Sequence, residues 1–324
     1  MRRVGAPAMA GTVTRGVGLA VLAALVSGLS IFLNSYAAHH VSSTTAFTTA
    51  KNLVAALVLL GGALLLAGGR RRAAELPRRP RDWALLGVIA VVGGSVPFVL
   101  FFQGAALTSA TDAALIQKSL VVWVALLAIP LLGERVSVWH LGAIAMLLVG
   151  QVLLLGPLTG THANVGNLMI LAATLLWSVE TVVLKVALRS MPPLTVGIAR
   201  LGLGVVLILA YIGLRGQLGS LVTLGAVGWS WALAMGVVLA AYVSCWLGAL
   251  ARAPAIDVTA VLVAAAFVTA ALDAGFQGYS LGSHLPSLVL IAAGVALLVV
   301  VARRRSAAAN LAQVPLSVGP PGSG

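Results

Sequence analysis

The sequence predicts an all-α integral membrane protein, with ten transmembrane helices arranged as two inverted five-helix repeats. Three observations carry that expectation: an apolar composition, ten hydrophobic segments of spanning length, and an internal match of the first half to the second. Of the 324 residues, 60% are hydrophobic and 8% charged, and the mean hydropathy is +1.09. A soluble globule cannot build a polar surface from that mixture. A helix needs roughly 20 mainly apolar residues to cross the hydrocarbon core.

Taken in order, span one (16–36) follows Arg2, Arg3 and Arg15, and span two (44–67) follows the His39-His40 loop. Span three (83–106) is set off by Pro77 and Pro80; inside it, Gly93-Gly94 and Pro97 predict a kink able to serve as a hinge. Span four (110–132) closes on Gly133-Glu134-Arg135, and span five (138–156) on Gly156-Pro157. Span six (165–187) is separated from span seven (194–214) by Pro192-Pro193. Span eight (229–250) and span nine (255–274) flank Pro254, and span ten (285–302) begins beside Pro286. The short loops leave no room for a soluble domain.

Residues 23–60 pair with 172–209 without a gap, matching Ala23-Ala24 to Ala172-Ala173, Ala50 to Ala199 and Lys51 to Arg200. Further on, Ala110-Thr111-Asp112 pairs with Ala255-Ile256-Asp257, and the Gly150 helix with the Gly294 helix. Two repeats that each hold an odd number of spans must be inverted relative to one another, an architecture recurrent in secondary transporters. The expected organisation is a cytoplasmic N-terminus (1–15), a first repeat (16–156), a second, inverted repeat (165–303) and a disordered cytoplasmic tail (304–324), rich in Ala, Pro, Gly and Ser. Basic residues before an apolar run, with small residues near Ala37-Ala38, also resemble a cleaved signal. The run's length and its match to span six favour a retained helix.

Lys and Arg are retained on the cytoplasmic side. With a cytoplasmic N-terminus, 16 of the 20 basic residues fall on the inner face, among them Arg70 to Arg72, Arg78, Arg79, Arg81, Arg135, Lys185, Arg189, Arg252 and Arg303 to Arg305. Only Arg215 falls in an outer loop, and Lys51, Lys118 and Arg200 lie within spans. Topology therefore accounts for the net charge of +13, and nucleic acid is not an expected partner. Anionic lipid is. Cys245 is the only cysteine, so an intrachain disulfide or thiolate metal cluster is excluded. Arginine greatly outnumbers lysine; with abundant Ala and Gly, that points to a GC-rich bacterial genome, and the expected location is a bacterial inner membrane with both termini cytoplasmic.

Phe102-Gln103-Gly104-Ala105-Ala106-Leu107 through Ala113-Ala114-Leu115-Ile116, then Leu131-Leu132-Gly133-Glu134-Arg135, resemble the EamA-type permeases of the drug/metabolite transporter superfamily. So does Trp177 followed by Lys185. The resemblance covers about 15–303. It implies a ten-helix permease whose spans one to four and six to nine surround a central cavity, exporting amino acids, metabolites or drugs. The second repeat departs from the pattern: Phe276-Gln277-Gly278-Tyr279 stands where a Gly-Glu element is expected.

An ionisable side chain in mid-bilayer costs roughly 2.5–3.5 kcal/mol on insertion scales and is a functional candidate by default. The substrate-path candidates are Lys51, Lys118, Trp177, Glu180 and Arg200. Glu180 and Arg200 fall at comparable depths on adjacent spans, so they read either as a structural ion pair or as a pair lining the path. Glu180 is the one acid well inside a span and the candidate for proton coupling. Lys51 and Arg200, as repeat equivalents, read as paired gates or as snorkelling anchors. Lys118 reads either as a salt bridge to Asp273 or as a cationic anchor for an anionic solute. Asp112 and Asp257 begin spans, where an acid stabilises a helix N-terminus. Trp83, Trp139, Trp229 and Trp231 read as interfacial anchors, and Trp123, Trp177 and Trp246 as packing or an aromatic wall. His39, His40, His162 and His284 show no ligand spacing, so neither a metal nor any other cofactor is expected.

The function expected is secondary-active transport of a small solute by alternating access, with a lipid translocase or channel-like facilitator as the alternative. The acids are scattered rather than clustered for metal-diphosphate binding, so an enzyme is not expected; no P-loop is present for ATP. The expected partners are the solute and membrane lipid, with a homodimer left open.

Overall fold

The computed structural model describes residues 7–38, 40–41, 43–67, 75–155, 164–277 and 282–311. Spans one and two are α1 (Pro7–Ala38) and α2 (Thr44–Ala67). Span three is broken into α3 (Pro80–Val92) and α4 (Val96–Ala105), and span four into α5 (Ala110–Lys118) and α6 (Leu120–Leu132). Spans five, six and seven are α7 (Val138–Leu155), α8 (Val165–Ala187) and α9 (Pro193–Leu214). After the single turn of α10 (Gly219–Val222), span eight is α11 (Gly225–Leu250). Span nine is broken into α12 (Ala255–Leu262) and α13 (Ala265–Gln277), and span ten is α14 (Leu285–Leu311). Among the described residues nine segments are long and apolar enough to cross a membrane; the tenth, in α7, is the shorter apolar helix Val138–Leu154.

Two ends differ from expectation. α1 begins at Pro7 rather than near residue 16, and α14 runs on to Leu311 rather than giving way to an irregular tail at 304. Arg303 to Arg305 and Ala307 to Ala309 are strong helix formers, so nothing local stops the helix there. The rest of the expected tail lies outside the described residues.

The helices pack with the reciprocity of an inverted repeat. α1 lies against α11, α12 and α13, while its counterpart α8 lies against α4, α5 and α6. α2 meets its counterpart α9, and α7 meets its counterpart α14. This last pair approaches closely through glycine on both sides. Gly150 sits against the Ser287 carbonyl and Ile291, and Gly294 against the Ala143 carbonyl and Leu147. Small residues such as Ala20, Ala23, Ala143 and Ala260 fill the seams, as dispersion-driven packing in lipid requires. Large apolar side chains such as Leu57, Leu65, Leu131 and Val206 face outward, where a bilayer would cover them.

The three breaks arise differently. In span three, Pro97 cannot donate its backbone bond, and Gly93-Gly94 permits the chain to unwind. Ser95 Oγ then donates to the carbonyls of Ala90 (2.9 Å) and Val91 (3.3 Å), capping the end of α3. The expected kink is therefore present as a full interruption. The breaks at Ser119 and at Val263-Ala264 stand at the offset that relates Asp112 to Asp257, so they are one feature repeated. Span eight, the counterpart of span three, is continuous. The interruption at 93–95 belongs to one repeat only.

Candidate functional site

α8 and α9 run antiparallel, which brings Glu180 and Arg200 to one depth. Arg200 Nε donates to Glu180 Oε1 at 2.5 Å, and Nη2 donates to Oε2 at 3.1 Å. This bidentate pair is buried, with side-chain exposures of 7% for Arg200 and 1% for Glu180. The interruption in span three supplies a third partner. The Gly93 carbonyl accepts from Arg200 Nη2 at 3.4 Å and from Trp177 Nε1 at 3.3 Å. Irregular backbone at membrane depth is tolerated where it is buried in protein in this way.

Aromatic rings enclose the guanidinium. Arg200 Cζ lies 5.2 Å from the Trp246 ring centre and 5.9 Å from that of Phe98. Tyr242 stacks on Trp246 at 5.9 Å, and Phe98 meets Trp177 edge-on at 5.4 Å. The buried Trp246 indole N–H has no acceptor among the described residues. The glycines are required sterically: a Cβ on Gly93 would overlap the Glu180 carboxyl, and one on Gly204 would meet the Gly94 carbonyl.

Phe98 also belongs to a cavity of about 170 Å³ on the side away from the arginine-rich loops. Thr45 and Thr48 of α2, Phe102 and Gln103 of α4, and Tyr211 of α9 line it, with Arg215 beyond the end of α9. Gln103 Nε2 donates to Tyr211 Oη at 2.6 Å. A second cavity, about 360 Å³, lies among the arginine-rich loops, lined by Arg78, Arg79, Arg189, Glu75 and Asp82. There Ser190 Oγ donates to Asp82 Oδ1 at 2.9 Å.

At the arginine-rich end, the α11–α12 turn is held from both sides by charge. Glu134 accepts from the backbone N–H of Ala255 at 2.6 Å and of Ile256 at 3.1 Å, capping α12 from the other repeat. Lys185 Nζ donates to the carbonyls of Leu250 (2.6 Å) and Ala253 (2.5 Å), at the end of α11. Each charge opposes the helix end it touches. Burial pushes the Glu134 carboxyl above the ordinary glutamate range, against the pull of the two N–H donors and Lys185; Asp257 adds to the rise. Glu134→Ala strips the cap from α12 and is expected to cost about 1–2 kcal/mol, read as a lower melting temperature in nanodiscs.

Of the candidate residues, the structure brings Trp177, Glu180 and Arg200 together and leaves Lys51 and Lys118 apart from them. Lys51 Nζ is 5.5 Å from the Phe47 ring centre. Its repeat equivalent Arg200 has Glu180, but the position equivalent to Glu180 is Ile31, so the first repeat builds no matching ion pair. Lys118 is half-buried at the end of α5 and has no carboxylate within ion-pair distance among the described residues. A salt bridge to Asp273 is not formed, because α5 packs on α7 and α8 while α13 packs on α1. Asp112 and Asp257 occupy first turns as expected, but the side-chain caps come from Ser109 and Glu134. Trp83 and Trp139 are exposed at span starts, as interfacial anchors should be. His39 and His162 lie outside the described residues.

The sequence reading missed the Gly93 carbonyl as an acceptor, although Gly93-Gly94 and Pro97 marked the hinge. It also missed Phe98 and Tyr242. The four-residue spacing of Tyr242 and Trp246 was the available sign of an aromatic face.

Two stretches, residues 14–156 and 164–300, each match the model of the EamA-like transporter family. Among solved structures, a crystal structure of a protein 20% identical to the chain superposes with a TM-score of 0.73, covering 88% of this chain and 98% of that one. No curated protein matches the sequence. With two copies of the family's unit across nearly all of its spans, the chain belongs to the EamA-like transporter family.

Proposed function

We propose that this membrane transporter is secondary-active and exports a small metabolite across a bacterial plasma membrane by alternating access, with both termini cytoplasmic. The observation that carries the reading is the stacking of parts in depth: the cavity rests on Phe98, Phe98 covers Arg200, and Arg200 joins Glu180 to the interrupted span three. A solute seated in the cavity reaches the joint through one ring. The cavity lining of hydroxyls, two amides, aromatic faces and Arg215, without an acid, favours a neutral or anionic solute. At about 170 Å³ it is smaller than the roughly 300–1,000 Å³ of drug-sized sites, which favours a metabolite such as an amino acid.

Trp177, Glu180 and Arg200 form the moving joint in this reading. A proton taken up at Glu180 would release the guanidinium and so couple proton entry to rocking of the halves. Lys51 and Lys118 are the remaining cations that a solute could meet along its way.

The test is saturable flux in proteoliposomes over a panel of amino acids, organic anions and cationic drugs, with and without a pH gradient. Wild type is expected to move a neutral or anionic solute, Phe98→Ala to raise its KM about tenfold, a loss of about 1.4 kcal/mol of binding, and Glu180→Gln to abolish the response to the gradient. Lys118→Ala collapses flux only of anionic solutes if that lysine is an anchor. Unsaturable flux, indifferent to Phe98→Ala, would overturn the proposal in favour of a channel-like facilitator.

A further inference from the structure

We propose that the cavity of about 360 Å³ at the arginine-rich end binds the phosphate group of an anionic phospholipid, seated across the seam between the two repeats. One wall is the segment that leads into α3, residues 75–79, with Asp82 in the first turn of that helix. The other is the α8–α9 turn, residues 189–192. Polar contacts across the seam hold the walls together. The Glu75 N–H donates to Thr195 Oγ1 at 3.1 Å, the same hydroxyl donates to the Glu75 carbonyl at 3.1 Å, and Ser190 Oγ donates to Asp82 Oδ1. The walls are therefore fixed, while the guanidiniums on them stay open. Arg78, Arg79 and Arg189 are exposed and make no ion pair or side-chain hydrogen bond among the described residues.

The charges on the lining select the ligand. Three arginines stand against Glu75 and Asp82, so the lining carries one net positive charge. Exposed Arg81, beside Asp82, adds another; Lys185, one turn before Arg189, is committed to the carbonyls of Leu250 and Ala253 and offset by Glu134. A guanidinium fork fits phosphate oxygens two at a time. Free phosphate is more than singly charged at neutral pH, and both acids repel it. A phospholipid phosphodiester carries a single charge, and hydroxyls on its headgroup donate to the acids. Depth also favours a lipid. Trp83 Nε1 donates to the Pro77 carbonyl at 3.1 Å, and an exposed tryptophan at a span start marks the headgroup level. Leu76, on the same wall, is exposed and apolar, so it can meet acyl chains. Basic pockets between spans on the cytoplasmic side suit phosphate-bearing headgroups. Because the walls belong to different repeats, a bound headgroup adds a bridge to the hydroxyl contacts at this end. The site stands whichever solute is transported.

The test is native mass spectrometry of the delipidated protein in detergent, titrated with phosphatidylglycerol, with phosphatidylcholine, and with phosphatidylglycerol in the presence of inorganic phosphate. The first phosphatidylglycerol is expected to bind more tightly than phosphatidylcholine. Arg78→Gln, Arg79→Gln and Arg189→Gln should each weaken it about fivefold, the worth of one basic residue beside anionic lipid. Arg304→Gln, an exposed arginine at the same end but outside the cavity, should leave it unchanged. All four side chains are exposed, so the variants are expected to melt as wild type does without added lipid, and phosphatidylglycerol to raise the melting temperature of wild type more than that of Arg189→Gln. Equal weakening by Arg304→Gln means diffuse attraction to the basic face and overturns the site, as does equal binding of phosphatidylcholine. Displacement of the lipid by an equal concentration of inorganic phosphate overturns the lipid assignment and makes free phosphate the ligand.

Discussion

Arg200→Ala is expected to destabilise the folded protein by about 3–5 kcal/mol, because removal of one partner leaves an uncompensated buried charge. The two partners are not equivalent. Among the described residues the hydrogen bonds to Glu180 come from Arg200 alone, whereas Arg200 retains the Gly93 carbonyl and the faces of Phe98 and Trp246 when Glu180 is neutralised. Glu180→Gln should therefore cost less than Arg200→Ala. The double replacement Glu180→Leu with Arg200→Met removes both charges while keeping volume, and it should be more stable than Arg200→Ala alone. Flux separates structure from work: if the pair is the moving joint, Arg200→Ala and the stable double variant lose transport, while Glu180→Gln loses its response to the pH gradient. Melting in nanodiscs beside proteoliposome flux reads both quantities. A double variant that transports normally would reduce the pair to a structural brace.

That pair was legible in the sequence because charges are scarce in the spans and consecutive helices reverse direction, so depth could be counted from either end. The partner of the pair was not. Gly93-Gly94 and Pro97 announce a break, but only packing decides that the freed Gly93 carbonyl faces Arg200 and Trp177. The breaks at Ser119 and Val263-Ala264 carry no proline or glycine, and local propensity gives no sign of them. Thr269 Oγ1 donates to the Gly28 carbonyl at 3.0 Å, and a Cβ on Gly28 would meet Val268 and the Ala265 carbonyl. Span nine thus packs tightly on α1 just past its break. Glu134 and Lys185 stood out in the sequence as a shared family pattern, yet their work is done on a turn more than sixty residues further along the chain. Inverted repeats make such partners remote in sequence by construction. The same inversion explains why Lys51 lacks the ion pair of its repeat equivalent: equivalence of backbone position does not carry the partner with it, and Ile31 stands where a carboxylate would be needed.

Gly93→Ala is expected to abolish transport by adding a single methyl group. The new Cβ would occupy the space of the Glu180 carboxyl, whose atoms are fixed by two bonds from Arg200 and cannot swing away without breaking them. Overpacking of this kind costs about 1–3 kcal/mol, and here the strain falls on the ion pair. Gly62→Ala in α2 is the control, since nothing lies within 4 Å of its added methyl. In a helix interior, that change is expected to be neutral or stabilising by about 0.5–1 kcal/mol. Shortening the acid offers a sharper discrimination. Glu180→Asp withdraws the carboxyl by one methylene, so Gly93→Ala combined with Glu180→Asp should recover part of the flux that Gly93→Ala loses, although Glu180→Asp alone lengthens the pair and weakens it. A reciprocal rescue of this sign requires that the two residues share one space during transport. If Gly93→Ala loses flux and Glu180→Asp restores none of it, the glycine is needed for the bend of span three itself, and the motion resides in the backbone rather than in the pair.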